Sequence, residues 1–332
     1  MIRLFQLRDL PLVHRLGEGG IALDAESAAI GFPHPVRSAL VNRFKGRHYP
    51  TYIWKSDDRS NSAFVQFRCY EGCATARLVF LGTSDALKSH ENYQDIDEDI
   101  WLPMMDDLAA ISGARGIHNL IAEVNESGPE FLILRKAGFV VYTRQDIWIS
   151  DSSEDYENVT NLQPYDSIDD WDVFVLYSNV VPRLIQSVEP NPPINSGDNW
   201  VLREDNELTA FIHTNRGTIA TWMRLLIHPN AHTKPKMIVK AALGTSKATE
   251  EHPIYCCVRK YQSWLQRPLE DAGFRYWGSQ AVMVRHMTKA IKMQSQVNDL
   301  GFEAQAVPGS STLIQGFSQS NGRHSRKHTS DS

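Results

Sequence analysis

Histidines, cysteines and two oppositely charged loops are the groups in this chain with the means to do chemistry. His228 and His232 stand four apart, a spacing that puts two metal ligands on one face of a helix, but here they straddle the end of an expected strand. Cys256 and Cys257 are adjacent in another expected strand and so point to opposite faces. Cys69 and Cys73 flank a hairpin turn at Glu71-Gly72. No paired C-x-x-C spacing occurs, the cysteines read as small apolar filler, and no metal is expected. A Walker loop, G-x-G-x-x-G, a G-x-S-x-G elbow and H-E-x-x-H are all missing. The loop 83–98 and the helix start after it carry Asp85, Glu91, Asp95, Asp97, Glu98 and Asp99, carboxylates that complement a helix N-terminus themselves. A second loop is basic, with His232, Lys234 and Lys236, and Thr233 is placed to cap the following helix.

The elements that position these groups come in two copies. Residues 134–148 read LRKAGFVVYTRQDIW and residues 269–283 read LEDAGFRYWGSQAVM. Leu134, Ala137, Gly138, Phe139 and Gln145 reappear as Leu269, Ala272, Gly273, Phe274 and Gln280, at a constant offset (273 − 138 = 135). Each follows a β-rich run, LIAEV or IYCCV. A repeat of this length is a domain rather than a solenoid unit. The first copy reads as strand 2–6, a helix from Asp9, a helix from Pro35, strands 51–55, 63–70 and 75–81, a helix through Ile100 to Ile111, strand 117–124, helix 128–137 and strand 139–149. The second reads as strand 158–163, a helix about 168–178, a shorter one near Pro182, strands 199–203, 207–214 and 218–228, helix 234–243, strand 253–259, helix 263–272 and strand 275–287. The fold class is mixed α/β in two tandem domains, 1–150 and 158–288, joined by an acidic linker at 151–157. The tail 289–332 lacks apolar periodicity and is expected to be largely disordered, from about Gly309 onward above all.

The composition, 42% apolar and 22% charged with net charge −5, carries no field that would draw the chain to nucleic acid or an anionic membrane. The longest apolar run, near 173–181, is broken by Tyr177, Ser178 and Asn179. Arg3, Arg8 and Asp9 interrupt the N-terminus where a signal peptide needs apolar residues, so a cytoplasmic protein is expected.

Strand, two helices, three antiparallel strands, helix, strand, helix, strand is not the alternation of a doubly wound sheet. It resembles the GNAT (GCN5-related N-acetyltransferase) fold. The Ala-Gly-Phe after the last helix of each copy, the opening MIRLFQLRDLPLVHRL, and LLIHPNAHTKPKMIVKAAL in the second copy carry the resemblance, over roughly 1–150 and 158–288. It implies acetyl-coenzyme A bound where two parallel strands splay, with pyrophosphate on backbone N–H groups at the third helix. Laid onto that pattern, the second copy supplies Ile227, His228, His232, Thr233, Lys234, Lys236 and Met237 as cofactor-binding residues. It departs from the family loop by placing His232, Pro235 and Met237 where Arg, Gly and Gly/Ala belong. The first copy's acidic loop would repel a pyrophosphate, so the second copy is the expected site. The acid that the family often places four residues before the glycine is replaced by Leu134 and Leu269. Tyr261, Glu123 and Glu126, near the ends of the fifth strands, are the remaining catalytic candidates.

Two function classes follow. One is an acetyl-coenzyme A-dependent N-acetyltransferase acting on a small-molecule or peptide amine. The other is a catalytically inactive tandem GNAT-fold binding or scaffold protein. Trp54, Trp101, Trp222 and Trp264 could line an acceptor pocket or pack a core. The protein is expected as a monomer with its two domains paired within the chain, or as a homodimer.

Overall fold

Both copies open on the same local device. Asp9 accepts the Gln6 N–H at 2.8 Å and pairs with Arg3 at 2.6 Å. Asp169 accepts the Asp166 N–H at 3.0 Å and pairs with Arg203 at 2.6 Å. Each carboxylate closes a capping box over a short 3-10 turn, Leu7–Asp9 or Ser167–Asp169, that feeds the first helix of its copy. The computed structural model describes residues 1–287 except 32–33, 46–49, 59, 70–73, 85–97, 152–160, 193, 195–196 and 247, and only the backbone at 41–45. The acidic loop of the first copy, most of the expected linker, Cys73 and the tail lie outside the described residues.

The first copy contains β1 (Ile2–Leu4), α1 (Leu10–Gly17), β2 (Ile21–Ala22), α2 (Ala25–Ala29), α3 (Pro35–Lys45), β3 (Thr51–Lys55), β4 (Ser62–Arg68), β5 (Thr75–Thr83), α4 (Glu98–Ala114), β6 (Asn119–Val124), α5 (Pro129–Lys136) and β7 (Val140–Ser150). The second contains β8 (Gln163–Pro164), α6 (Asp170–Val180), α7 (Arg183–Gln186), β9 (Asp198–Glu204), β10 (Glu207–Arg216), β11 (Thr221–Ile227), α8 (Pro235–Ser246), β12 (Ile254–Arg259), α9 (Gln266–Glu270) and β13 (Arg275–His286). β2 and α2 were not expected, because two strand residues and a five-residue helix have no period to read; they form where the tertiary structure holds them. The expected helix 263–272 divides into a 3-10 turn, Lys260–Leu265, and the short α9. Pro268 has no N–H for an i−4 bond, and its ring crowds the preceding turn.

The strands form one mixed sheet in the order β1-β3-β4-β5-β6-β13-β7-β12-β11-β10-β9-β8, with β2 added on β5. The last strands are exchanged. β13 pairs antiparallel with β6 of the first copy, and β7 pairs antiparallel with β12 of the second. β7 and β13 then pair with each other, Gln145 opposite Gln280. Gln145 donates to Gln280 at 2.9 Å, a bond between residues 135 apart that are equivalents in the repeat. The ladder is symmetric about them: Arg144 faces Ala281 as Asp146 faces Ser279. Its two bulges fall on Tyr142 and Trp277, also equivalents (277 − 142 = 135). A local two-fold axis therefore passes through the middle of the sheet, and the described residues belong to one compact unit.

Alternation along each strand divides the core. Leu78 packs toward α4 and α5, whereas Val79 packs toward α1 and α3. In the second copy Cys256 packs toward α8 and α9, while Cys257 faces Trp222 and Ala25 on the other side. Trp54, Trp101 and Trp222 are buried in these cores, and Trp264 is partly exposed. Among the described residues no helix is long and apolar enough to cross a membrane.

Helices α5 and α9 stop in the same way. Phe139 N–H reaches Leu134 O at 2.9 Å and Phe274 N–H reaches Leu269 O at 3.0 Å, each around a glycine with φ of +83° or +90°. A Cβ on Gly273 would meet nothing within 4 Å, and one on Gly138 only Arg285 Nε at 3.7 Å. Gly273→Ala and Gly138→Ala should therefore cost the bare left-handed penalty, about 1–2 kcal/mol each, in urea unfolding. Clearly unequal losses at the two positions would contradict the equivalence of these termini.

Candidate active site where the strands part

Two pairs of neighbouring strands run parallel, β5 with β6 and β11 with β12, and each pair separates along its length. β5 and β6 are registered from Thr75/Asn119 to Arg77/Ile121, after which β5 continues to Thr83. The chain itself fills that opening. Ile21 and Ala22 pair with Leu81 and Phe80. Leu23 donates to Val79 O at 3.0 Å and accepts from Glu123 N–H at 2.8 Å, so this residue bridges both strands. Ala25 N–H then reaches the Glu123 carboxylate at 2.9 Å. The approach is so close that a Cβ on Gly20 would lie 2.2 Å from the Phe80 ring and 2.9 Å from Leu81 O.

The second opening is different. β11 and β12 are registered from Thr221/Ile254 to Arg224/Cys257, leaving 225–227 and 258–259 to diverge. Among the described residues no backbone bonds into this gap. It leads instead to a cavity of about 420 Å³ walled by both strands, Tyr177 and Phe211, the segment 189–192, and side chains from the first copy.

The polar wall of the cavity is a buried ionic cluster spanning both copies. Arg77 pairs with Glu123 at 2.8 Å and with Glu189, and Arg259 pairs with Glu189 at 3.1 Å and Glu123 at 3.8 Å. Glu26 of α2 lies 3.5 Å from Arg68 and 3.6 Å from Arg224, and accepts from Asn215 at 2.7 Å. Tyr142, the bulged residue of β7, donates to Glu189 at 2.5 Å. Burial pushes the Glu26 and Glu189 carboxyls up, but the facing arginines outweigh it and hold each at about 2. Glu123 is also lowered: burial opposes, while Arg77 and Arg259 prevail. His213 lies in the same wall; burial lowers its imidazole to about 4. Its Nδ1 is 2.8 Å from Asn199 Oδ1, an acceptor, so the neutral ring carries its proton there and leaves the lone pair on Nε2.

No protein-family model matches the chain, and no curated protein matches it. Solved structures do. A GCN5-related N-acetyltransferase from Sphaerobacter thermophilus aligns over 86% of this chain and 95% of its own, at 10% identity and a TM-score of 0.50. A tandem GNAT protein from the clavulanic acid biosynthesis pathway, solved without acetyl-coenzyme A, aligns over 87% and 98%, at 12% identity and a TM-score of 0.50. The chain has the tandem GNAT fold. Identities this low carry the architecture alone.

In GNAT terms the residues singled out in the sequence fall into separate places. Ile227 is buried at the end of β11, and His228 accepts from Asn230 N–H at 3.2 Å in the turn beyond it. At the start of α8, the His232 and Thr233 N–H groups both donate to Glu204, at 2.8 and 2.7 Å. A side-chain carboxylate from the tip of the β9–β10 hairpin thus takes the N–H groups that the sequence resemblance implies for a pyrophosphate. Burial raises the Glu204 carboxyl, and these donors more than reverse the shift. His232 also approaches Asp205 at 3.3 Å. Lys234 and Met237 are exposed, and Lys236 is half-buried. Of the catalytic candidates, Tyr261 lines the cavity, and burial raises its hydroxyl to about 12. Glu123 is committed to Arg77, Arg259 and the filled opening, and Glu126 pairs with Arg144 at 2.7 Å on the surface. Among the described residues no three His, Cys, Asp or Glu side chains gather as a metal site would require.

Arg77, Arg224, Arg259, Glu26, Glu189 and His213 were not singled out in the sequence. They lie far apart along the chain, and only the exchanged strands bring them together. The hint available was charge inside otherwise apolar strands, as in TARLVFLG and TWMRLLI.

The cluster sets the acid response. Glu26 and Glu189 ionise well below the unfolded carboxylate value of roughly 4.3, so between that value and about pH 2 the unfolded state binds more protons. Stability from these groups is present above pH ~4.3 and lost as the pH falls toward 2. His213 stays neutral when folded but protonates near pH ~6.5 when unfolded, which removes stability over the window from 6.5 down to about 4. Urea unfolding should weaken continuously from pH 6.5 to 2, and His213→Gln should flatten the upper part alone. An unfolding free energy independent of pH across this range would contradict the assignment.

Proposed function

We propose that the second copy catalyses acyl transfer from a coenzyme A thioester, acetyl-coenzyme A in the first instance, to an amine. The observation that carries this reading is the contrast between the openings: the first is filled by 21–25, while the second is unfilled among the described residues and continuous with a cavity. An extended thioester arm between β11 and β12 would meet strand edges as Leu23 does in the first copy. The positive charge of Lys234 and Lys236 near the start of α8 supports a pyrophosphate there. Glu204 has to leave for that contact to form, and its place on a hairpin tip permits it.

The amine nitrogen bonds to the thioester carbonyl carbon, the carbon–sulfur bond breaks, and the departing thiolate takes a proton. A thioester is already activated, so holding the amine beside it supplies much of the rate. Tyr261 remains protonated at neutral pH and is the cavity's proton donor to the thiolate. Glu26, Glu123 and Glu189 are weak bases because arginines hold them ionised, so the ammonium loses its proton to solvent. The rate should then rise with pH until the amine's own ionisation is passed.

One observation favours the other reading, a binding or scaffold protein without catalysis: the α8 N–H groups already have a carboxylate partner in Glu204. Calorimetry with acetyl-coenzyme A separates the two. Glu204→Ala should tighten binding by freeing both donors, and the pair Lys234→Glu with Lys236→Glu should weaken it. Because exposed lysine contacts are screened, each single change should have a small effect. No binding by either the unaltered protein or Glu204→Ala at millimolar acetyl-coenzyme A would establish the scaffold reading. With an acceptor in hand, Tyr261→Phe should lower kcat by roughly 10²-fold while the affinity for acetyl-coenzyme A stays unchanged. An unaltered kcat would remove Tyr261 from the chemistry.

A further inference from the structure

We propose that the cavity binds an apolar α-amino acid, with its carboxylate held by Arg224, Arg259 and Gln262. Its role as the acyl acceptor rests on the acyl-transfer reading, but its binding does not.

Hydrogen-bonding groups in the cavity wall are out of balance. Each glutamate of the cluster is shared: Glu26 by Arg68, Arg224 and Asn215, Glu123 by Arg77 and Arg259, and Glu189 by Arg77, Arg259 and Tyr142. The acceptors are thus well supplied. Three cavity-lining residues nevertheless hold buried nitrogen atoms with no partner among the described residues: Arg224 Nε, Arg259 Nη1 and Gln262 Nε2. Arg259 and Gln262 are only 7% and 3% exposed and the three atoms have almost no accessible surface, so bulk water does not serve them and each side chain must turn toward the cavity to meet a ligand there. All three atoms are donors. The missing partner is an acceptor, and a planar carboxylate is what a guanidinium with an amide beside it recognises best.

Charge balance narrows the class. Arg68, Arg77, Arg224 and Arg259 are matched by Asp24, Glu26, Glu123 and Glu189, so the cluster is neutral before anything binds. A phosphate would bring up to two uncompensated negative charges into this buried setting, whereas a zwitterionic amino acid brings none. The remaining walls, among them Ile121, Ile185, Phe211 and Leu226, are apolar and suit a hydrocarbon side chain. The volume of about 420 Å³ falls within the range of small-molecule sites.

The test is calorimetry on the full chain, without coenzyme A, using L-leucine, L-phenylalanine, their carboxamides and inorganic phosphate. At least one amino acid should bind, and its carboxamide should bind at least roughly tenfold more weakly. Gln262→Leu removes a donor without removing charge, and Arg224→Lys keeps the charge facing Glu26 but removes the guanidinium. Each variant, once shown by thermal unfolding to remain folded, should weaken amino-acid binding by roughly tenfold. Equal binding of acid and carboxamide, tighter binding of phosphate, unchanged affinity in both folded variants, or no binding of either amino acid at millimolar concentration would overturn the proposal. Adding acetyl-coenzyme A then separates the two readings. Carboxylate-dependent binding without acetylated product leaves the amino-acid site standing and removes acyl transfer; equal acetylation of phenylethylamine and phenylalanine does the reverse.

Discussion

The pairing of β7 with β13 is the constraint on which the rest of the structure depends. Each strand closes its own copy's chain path but lies beside the fifth strand of the other copy. Withdrawing either would expose two strand edges in the other copy, because β13 lies between β6 and β7 and β7 lies between β13 and β12. A strand edge stripped of its partner is a row of unsatisfied N–H and C=O groups, so the exchange ties the folding of the copies together. Its symmetry is that of the repeat: equivalent glutamines face each other on the axis, and the equivalent residues Tyr142 and Trp277 bulge on either side.

The bulges also show where the copies diverged. Tyr142 turns its hydroxyl to Glu189 in the ionic cluster, while Trp277 packs edge-on against Tyr255 and remains largely exposed. A buried cluster of four arginines and four carboxylates is a poor source of net stability, since desolvation offsets most of the attraction. Its structural effect is to add directed ties between segments that small apolar clusters also join, Ala25 with Trp222 and Val188 with Ile121. Glu26 of α2 reaches across to Arg224, and Glu189 reaches back to Arg77. Apolar packing at this junction could hold the copies together as firmly, but it would not furnish a cavity with directed donors.

The fate of the two strand openings expresses the same divergence. In the first copy, backbone from 21–25 supplies the hydrogen bonds and a glycine permits the close approach. In the second, the corresponding edges border a cavity. Glu123 connects these outcomes, because one carboxylate accepts Ala25 N–H at the filled opening and pairs with Arg77 and Arg259 beside the cavity. Among the described residues one strand opening is filled and the other borders a cavity, and that asymmetry is what supports proposing the chemistry for the second copy.

Much of this architecture was legible in the residues. The recurrence of Ala-Gly-Phe, the helical and alternating apolar periods and the turn glycines placed nearly every long element, since each depends on contacts within a few residues. Opposite faces for Cys256 and Cys257 followed from strand geometry alone. The exchange of β7 and β13 did not, because either strand has the same alternation whichever fifth strand it joins. β2 escaped notice because a neighbouring opening, rather than local propensity, makes it a strand. Tyr261 could be marked from its place at a strand end, but the arginines and glutamates around it read as ordinary strand and loop charges. The persistent ionisation of these groups, their burial and the cavity between them arise from packing residues as distant as Glu26 and Arg224, a juxtaposition that no local pattern encodes.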